Sequence, residues 1–211
     1  LRFKLVVRGA PLVLSTSLPM MEHLGMRVLD EHPHRIGTQG GSVVWVHDFG
    51  LASALGETDV DVDALRPVFE EAFGAVYTGT VENDDFNRLV LAARLPAHDI
   101  VVLRAYAKYM KQIGFALSQA FIESTLIANA GIARKLVELF RMRFDPAVAA
   151  GSGEAVQAKT AEIETALEQV ANLSEDRVLR NVLGLMMATT RTNYWRRDAK
   201  GARRGFVSFK F

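Results

Sequence analysis

Three histidines offer the first candidate chemistry. His32 and His34 flank Pro33, and His47 falls in the next apolar stretch. Residues two apart on a strand point to the same side, so these imidazoles could converge on a metal ion. A zinc site typically recruits about three or four protein ligands, and Pro33 works against regular strand geometry, so a polar hairpin is the simpler reading. Gly37-Thr38-Gln39-Gly40-Gly41 is the second candidate. A phosphate cradle needs a helix to start directly after the glycines, whereas this run joins two strand-like segments and reads as a hairpin loop. No GxGxxG, GxxxxGK or GxSxG pattern occurs. Glu82, Asp84 and Asp85 could act as paired carboxylates, but they precede Phe86 and an apolar periodic run, where helix capping accounts for them. Arg191 to Arg197 interleaves arginine with Tyr194 and Trp195, as binders of single-stranded nucleic acid do. It is one short patch after a predicted helix whose negative end favours arginine. Ile100, Leu103 and Met110 form a core stripe rather than a cofactor box. The residues thus nominate no catalytic, cofactor-binding or metal-ligating group.

Composition narrows the classes further. Twenty-five Lys and Arg against 24 Asp and Glu leave no overall pull toward nucleic acid or anionic membrane. Cysteine is absent, which excludes disulfides and thiolate metal sites and is compatible with a reducing compartment. No apolar run approaches the roughly 20 residues that span a bilayer, and Arg2, Lys4 and Arg8 break any signal-peptide core. A soluble, cytoplasmic chain with neither nucleic-acid nor membrane partners is expected. Hydrophobic residues make up 49%, enough for one large or two small cores. Both ends begin or stop inside alternating strand-like runs, so an internal segment of a larger polypeptide is expected.

The elements that must position these groups follow from periodicity. Phe3, Leu5 and Val7 alternate as a strand. Ser15 or Ser17 is expected to cap a short helix carrying Leu18, Met21 and Leu24, stopped by Gly25. Met26 to Asp30 and Val43 to His47 read as strands. Asp61 or Asp63 then caps a helix with Leu65, Phe69, Phe73 and Val76 on one side. Strand, helix, strand, strand, helix is the start of a ferredoxin-like unit, with no convincing fourth strand before Asn83. Beyond Asn83 the pattern is helical. Phe86 to Ala93, Ile100 to Ile113, Phe121 to Leu126 and Ile132 to Phe140 give successive helices. The small-residue stretch 147–153 is a linker. Val156 to Val170, and a final helix capped by Ser174, complete the set, and a basic turn 200–204 leads to a terminal strand.

Seven stretches, taken in order, carry a resemblance: LPMMEHLGMRVLDE at 18–31, VHDFGL at 46–51, NDDFNRLV at 83–90, LRAYAKYMKQIG at 103–114, SQAFI at 118–122, LVELF at 136–140 and RTNY at 191–194. In this order the chain resembles the large bacterial NAD-specific glutamate dehydrogenases, from about Leu12 to Phe211. The resemblance implies an internal segment N-terminal to the catalytic domain. Its fold would be α+β: an ACT-like (ferredoxin-like βαββα) module, a mainly helical region and a terminal β-strand. The implied organisation is an ACT-like regulatory module at 1–79, a helical motif at 83–146, the linker 147–153, a helical hairpin at 154–197, and a turn and strand at 198–211 leading into the catalytic domain.

The parent reaction so implied is oxidative deamination of L-glutamate to 2-oxoglutarate and ammonia with NAD. The catalytic lysines and the NAD site would lie outside this chain, so the segment itself holds no cofactor and is inactive alone. Its partners would be other domains of the same polypeptide, further copies in a homo-oligomer, and an amino-acid effector. The alternative is a stand-alone amino-acid-sensing module with an interaction bundle.

Overall fold

A computed structural model describes residues 1–37, 40–56, 61–149 and 153–211. The chain divides into two compact units, Leu1–Ala92 and Ala93–Phe211.

In the first unit, β1 (Arg2–Arg8), α1 (Leu14–His23), β2 (Met26–Gly37), β3 (Val43–Ser53) and α2 (Val62–Tyr77) follow in order. Among the described residues the sheet has three strands in the order β1-β3-β2, with β3 antiparallel to both neighbours. This is the ferredoxin-like βαββα arrangement, a split βαβ with β3 inserted between two parallel strands. One face is buried: Phe49 and Leu51 of β3 are covered, and Phe3 of β1 meets Phe69 and Phe73 of α2 edge-on at 5.4 and 5.1 Å. Asp61 caps α2 by accepting a hydrogen bond from the Ala64 N–H at 3.1 Å.

Two local expectations for this unit need correction. The N-cap of α1 is Val13, which forms no side-chain cap bond, while Ser17 is buried inside the helix. A cap must stand one residue outside the helix with its oxygen aimed at free N–H groups, and burial of Met20 and Met21 has drawn the helix start upstream of both serines. Strand β2 runs on through Pro33, because it lies at the sheet edge where a missing N–H breaks no ladder bond. It also bulges between Val28 and Asp30, opposite Gly50. A Cβ on Gly50 would lie 2.5 Å from Asp30, so glycine makes room for the carboxylate, which pairs with Arg2 at 2.6 Å. Arg2 also hydrogen-bonds Asp48 at 2.9 Å and holds that carboxyl below its usual range. A 3-10 turn (Asp85–Arg88) and the short α3 (Leu89–Ala92) close the unit, with Phe86, Leu89 and Val90 fully buried.

The second unit stacks α4 (Ala97–Gln112), α5 (Gln119–Ala128), α6 (Ala130–Phe144), α7 (Gly153–Leu167) and α8 (Leu173–Ala188), then pairs β4 (Arg191–Thr192) with β5 (Phe209–Lys210). Each helix buries an apolar stripe, such as Ile100, Leu103, Ala107 and Met110 on α4. Gly114, at φ +80°, ends α4, a conformation that costs glycine little. Asn172 caps α8 by accepting from the N–H groups of Ser174 and Glu175, so Ser174 lies within the first turn rather than at the cap. The terminal strand is only two residues long, because its pairing partner β4 is equally short. Linker residues 150–152 lie outside the described residues, as do Thr38 and Gln39 of the glycine-rich loop.

Candidate functional site

The sheet separates the three histidines. His32 and His34 pair with Asp48 and Val46 and share the outer face, whereas His47 is opposite Pro33 on the inner face and is 2% exposed. Pleating alternates sides, so residues on adjacent strands face together only at matching register. His47 has two polar partners. The Leu12 N–H can only donate, so Nε2 accepts from it at 3.0 Å, and Nδ1–H must donate to Glu31 Oε1 at 2.7 Å. His47 therefore ties the turn after β1 to the sheet. Among the described residues no group of three or more His, Asp or Glu could hold a metal ion.

Beside β1 the first unit has an open cleft of about 400 Å³. Its apolar floor is Phe3, Met26, Leu51, Leu65 and Phe69, and Arg66 and Glu70 of α2 stand on its rim. Asp84 occupies the N-cap position of the 3-10 turn without a side-chain cap bond, so the capping expected of the acidic run is not made there. Asp85 instead pairs with Arg88 at 3.0 Å, and the Glu82 carbonyl accepts from the Asn87 amide at 2.8 Å. The run serves the chain's own turn.

The second unit is locked by contacts between residues far apart in sequence. Asp99 on α4, 2% exposed, accepts from Arg141 on α6 and lies 2.9 Å from the Tyr194 hydroxyl, which also reaches the His98 carbonyl at 2.9 Å. Burial and the Asp99 charge push the Tyr194 phenol well above its ordinary range. Arg143 donates to the carbonyls of Met186, Met187 and Thr189, the last acceptors of α8. Thr189 gives its proton to the Leu185 carbonyl at 2.8 Å, so Tyr106 must donate to Thr189 Oγ1, also at 2.8 Å. Tyr194 is buried and Trp195 stacks on Phe140 at 5.4 Å. The aromatic half of the Arg191–Arg197 pattern thus points inward, where it cannot stack on bases.

Burial drives the Tyr106 phenol up to about 12. In the unfolded chain it ionises near 10, so above that pH the unfolded state binds fewer protons than the folded one and stability falls. The contribution is intact below pH 10 and is lost as pH rises through about 12, amounting to about 3 kcal/mol. Alkaline titration followed by phenolate absorbance is expected to show a late step that Tyr106→Phe removes. Loss of a step near pH 10 in that variant, with the late steps unchanged, would mean the ring is open to water.

Sequence reasoning missed Asp99, Arg141, Arg143 and Thr189. Their separations in the chain, 42 to 46 residues for Asp99–Arg141 and for Arg143 with its carbonyls, carry no periodic signal. The TNY of the Arg191–Tyr194 stretch was the one visible hint.

Three family models match the chain in succession: glutamate dehydrogenase, ACT3 domain, at residues 1–65; glutamate dehydrogenase, helical motif 3, at 81–146; and bacterial NAD-glutamate dehydrogenase, catalytic domain, at 162–211. The last match begins within α7. The chain is 44% identical over 215 aligned positions to an NAD-specific glutamate dehydrogenase of Pseudomonas aeruginosa, covering 100% of the chain. It is 42% identical to one of Halomonas elongata over 98% of its length, and 38% identical to one of Mycobacterium tuberculosis over 89%. It spans only 12 to 13% of the length of these relatives.

Proposed function

We propose, from the premise that the chain is a segment of the large bacterial NAD-specific glutamate dehydrogenase family, that it supports and regulates a catalytic centre built by other residues of one long polypeptide. The whole protein then converts L-glutamate, NAD⁺ and water to 2-oxoglutarate, ammonium, NADH and a proton. The observation that carries this reading is the succession of three matched regions over nearly the whole chain, at 42 to 44% identity to two relatives of that name. Its polar clusters are consistent with support. Asp99, Arg141, Arg143 and His47 are all engaged with the chain's own groups, and a catalytic group must be open to a substrate.

NAD belongs to the parent enzyme. The segment works against other domains of the same polypeptide, within a homo-oligomer, and in the cytoplasm, which suits a chain without cysteine. No described helix is long and apolar enough to cross a membrane. The open sheet face, with Val6 and Ile36 exposed, offers surface for domain contacts. The test compares two preparations. The intact polypeptide is expected to reduce NAD with L-glutamate, and the isolated 211-residue chain is not. Turnover by the isolated chain, or an intact polypeptide inert toward glutamate, would sink the reading.

The cleft beside β1 favours a second role for the first unit, binding of a free amino acid. Arg66 and Glu70 on its rim supply opposite charges suited to an α-carboxylate and an α-ammonium, above an apolar floor for a side chain. Control by such a ligand requires that it bind two arrangements of the enzyme unequally. A rise in melting temperature with one amino acid, lost in Arg66→Ala, is the expected result. A flat response to all common amino acids leaves the unit as scaffold.

A further inference from the structure

Charge is distributed unevenly along this near-neutral chain. Residues 191–211 carry seven Lys and Arg against one carboxylate, leaving 18 against 23 in the remainder. Among the described residues, none of these seven cations has a carboxylate within ion-pair distance. The one local acid, Asp198, is spent on its own turn, where it accepts from the N–H groups of Lys200 and Ala202.

Three of the seven meet in one place. Arg191, Arg196 and Lys210 line an open cleft of about 280 Å³, together with Thr192 and Ser208. The cleft is held in shape by the chain around it. Strands β4 and β5 pair across it, and the Asn193 amide accepts from the Ser208 N–H at 2.7 Å while donating to the Phe206 carbonyl at 3.1 Å. Behind it the Phe209 ring stacks on Tyr106 at 4.2 Å. Like charges brought together on a fixed frame repel, and an anion relieves that repulsion without having to order the frame first.

We propose that this cleft binds a small phosphate-bearing anion. Arginine presents a planar fork that fits phosphate oxygens two at a time, lysine adds a point charge, and the Ser208 hydroxyl can donate a further bond. The volume is at the small end for ligand sites and the lining is polar, which suits a phosphate or pyrophosphate group rather than a bulky apolar molecule. Nothing in this assignment depends on the reaction of the parent enzyme. The phosphate can be free or can be the end of a nucleotide.

Calorimetric titration of the intact polypeptide with sodium pyrophosphate, at fixed ionic strength, tests the assignment. Saturable binding is expected, weakened about a hundredfold or more in Arg196→Gln/Lys210→Gln, since two charge-assisted hydrogen-bond donors to the anion are removed together. Arg204→Gln, outside the cleft, is expected to change affinity by less than about threefold. Both substituted positions of the double variant are exposed, and an unchanged circular dichroism spectrum establishes that it is folded. Tighter binding of a nucleoside diphosphate than of pyrophosphate identifies the nucleotide as the source; equal or weaker binding identifies the free anion. Binding that persists in the double variant belongs to another site and overturns the proposal. Equal competition by a dicarboxylate such as succinate overturns the phosphate assignment.

Discussion

Truncating Phe140 to alanine is expected to cost the second unit about 4 kcal/mol, the range for removing a buried aromatic ring. Phe140 is fully buried, and five rings surround it: Phe144 at 5.0 Å, Trp195 at 5.4 Å, Tyr194 at 5.5 Å, Phe209 at 6.2 Å and Tyr106 at 6.3 Å. Three of these are edge-on, the arrangement that sets a ring's positive edge against its neighbour's negative face. The rings come from α4, α6, the turn after β4, and β5, so a cavity here loosens every element at once. Urea unfolding read by Trp195 fluorescence, in a Trp45→Phe background, reports on this unit alone, because the two tryptophans lie in different units. A loss under about 1 kcal/mol would mean the cluster repacks freely, against the close-packing argument.

Arg141→Met is expected to cost about 3 kcal/mol, for a different reason. Arg141 is itself 47% exposed, so little is lost when it leaves. Asp99 is 2% exposed, and without Arg141 its carboxylate is left in the interior beside the neutral Tyr194 hydroxyl at 2.9 Å and the half-buried His98 ring at 3.6 Å, with no permanent cation paired to it among the described residues. Uncompensated buried charge accounts for most of the cost of breaking such a pair. Adding Asp99→Asn removes the charge and keeps an acceptor for Tyr194, so the double variant is expected to recover more than half of the loss. If the single and double variants unfold at the same urea concentration, the pair is solvated and contributes little, as exposed pairs generally do.

Much of the architecture follows from local pattern. Alternation at Phe3, Leu5 and Val7, and again across Val43 to His47, places strands where they lie, since a two-residue period leaves one face to bury. The stripe Ile100, Leu103, Ala107, Met110 places α4 with equal directness, and Gly114 ends it. Caps were less readable. Ser17 and Ser174 have the right chemistry, but Val13 and Asn172 stand at the boundaries, because burial of the neighbouring apolar residues sets where a helix starts and its polar residues adapt. Periodicity stops the second strand at Asp30 and Pro33 argues against regular strand geometry, whereas only the order of strands in the sheet reveals that β2 is an edge and runs on to Gly37.

The candidate sites divide along the same line. The cations of 191–211 and the absence of nucleotide fingerprints are matters of residue type, plain from the chain alone. That three of those cations share one cleft, that Tyr194 and Trp195 face inward, and that His47 turns away from His32 and His34 are facts of register and packing. The amino-acid order by itself settled the helices, the strands and the overall near-neutrality, because those depend on neighbours a few residues apart. Tertiary structure alone decided which polar groups satisfy one another, since Asp99 and Arg141 are 42 residues apart and meet only when α4 and α6 are packed. Short-range periodicity carries no record of such pairs, and burial, which makes them matter energetically, exists only in the folded chain.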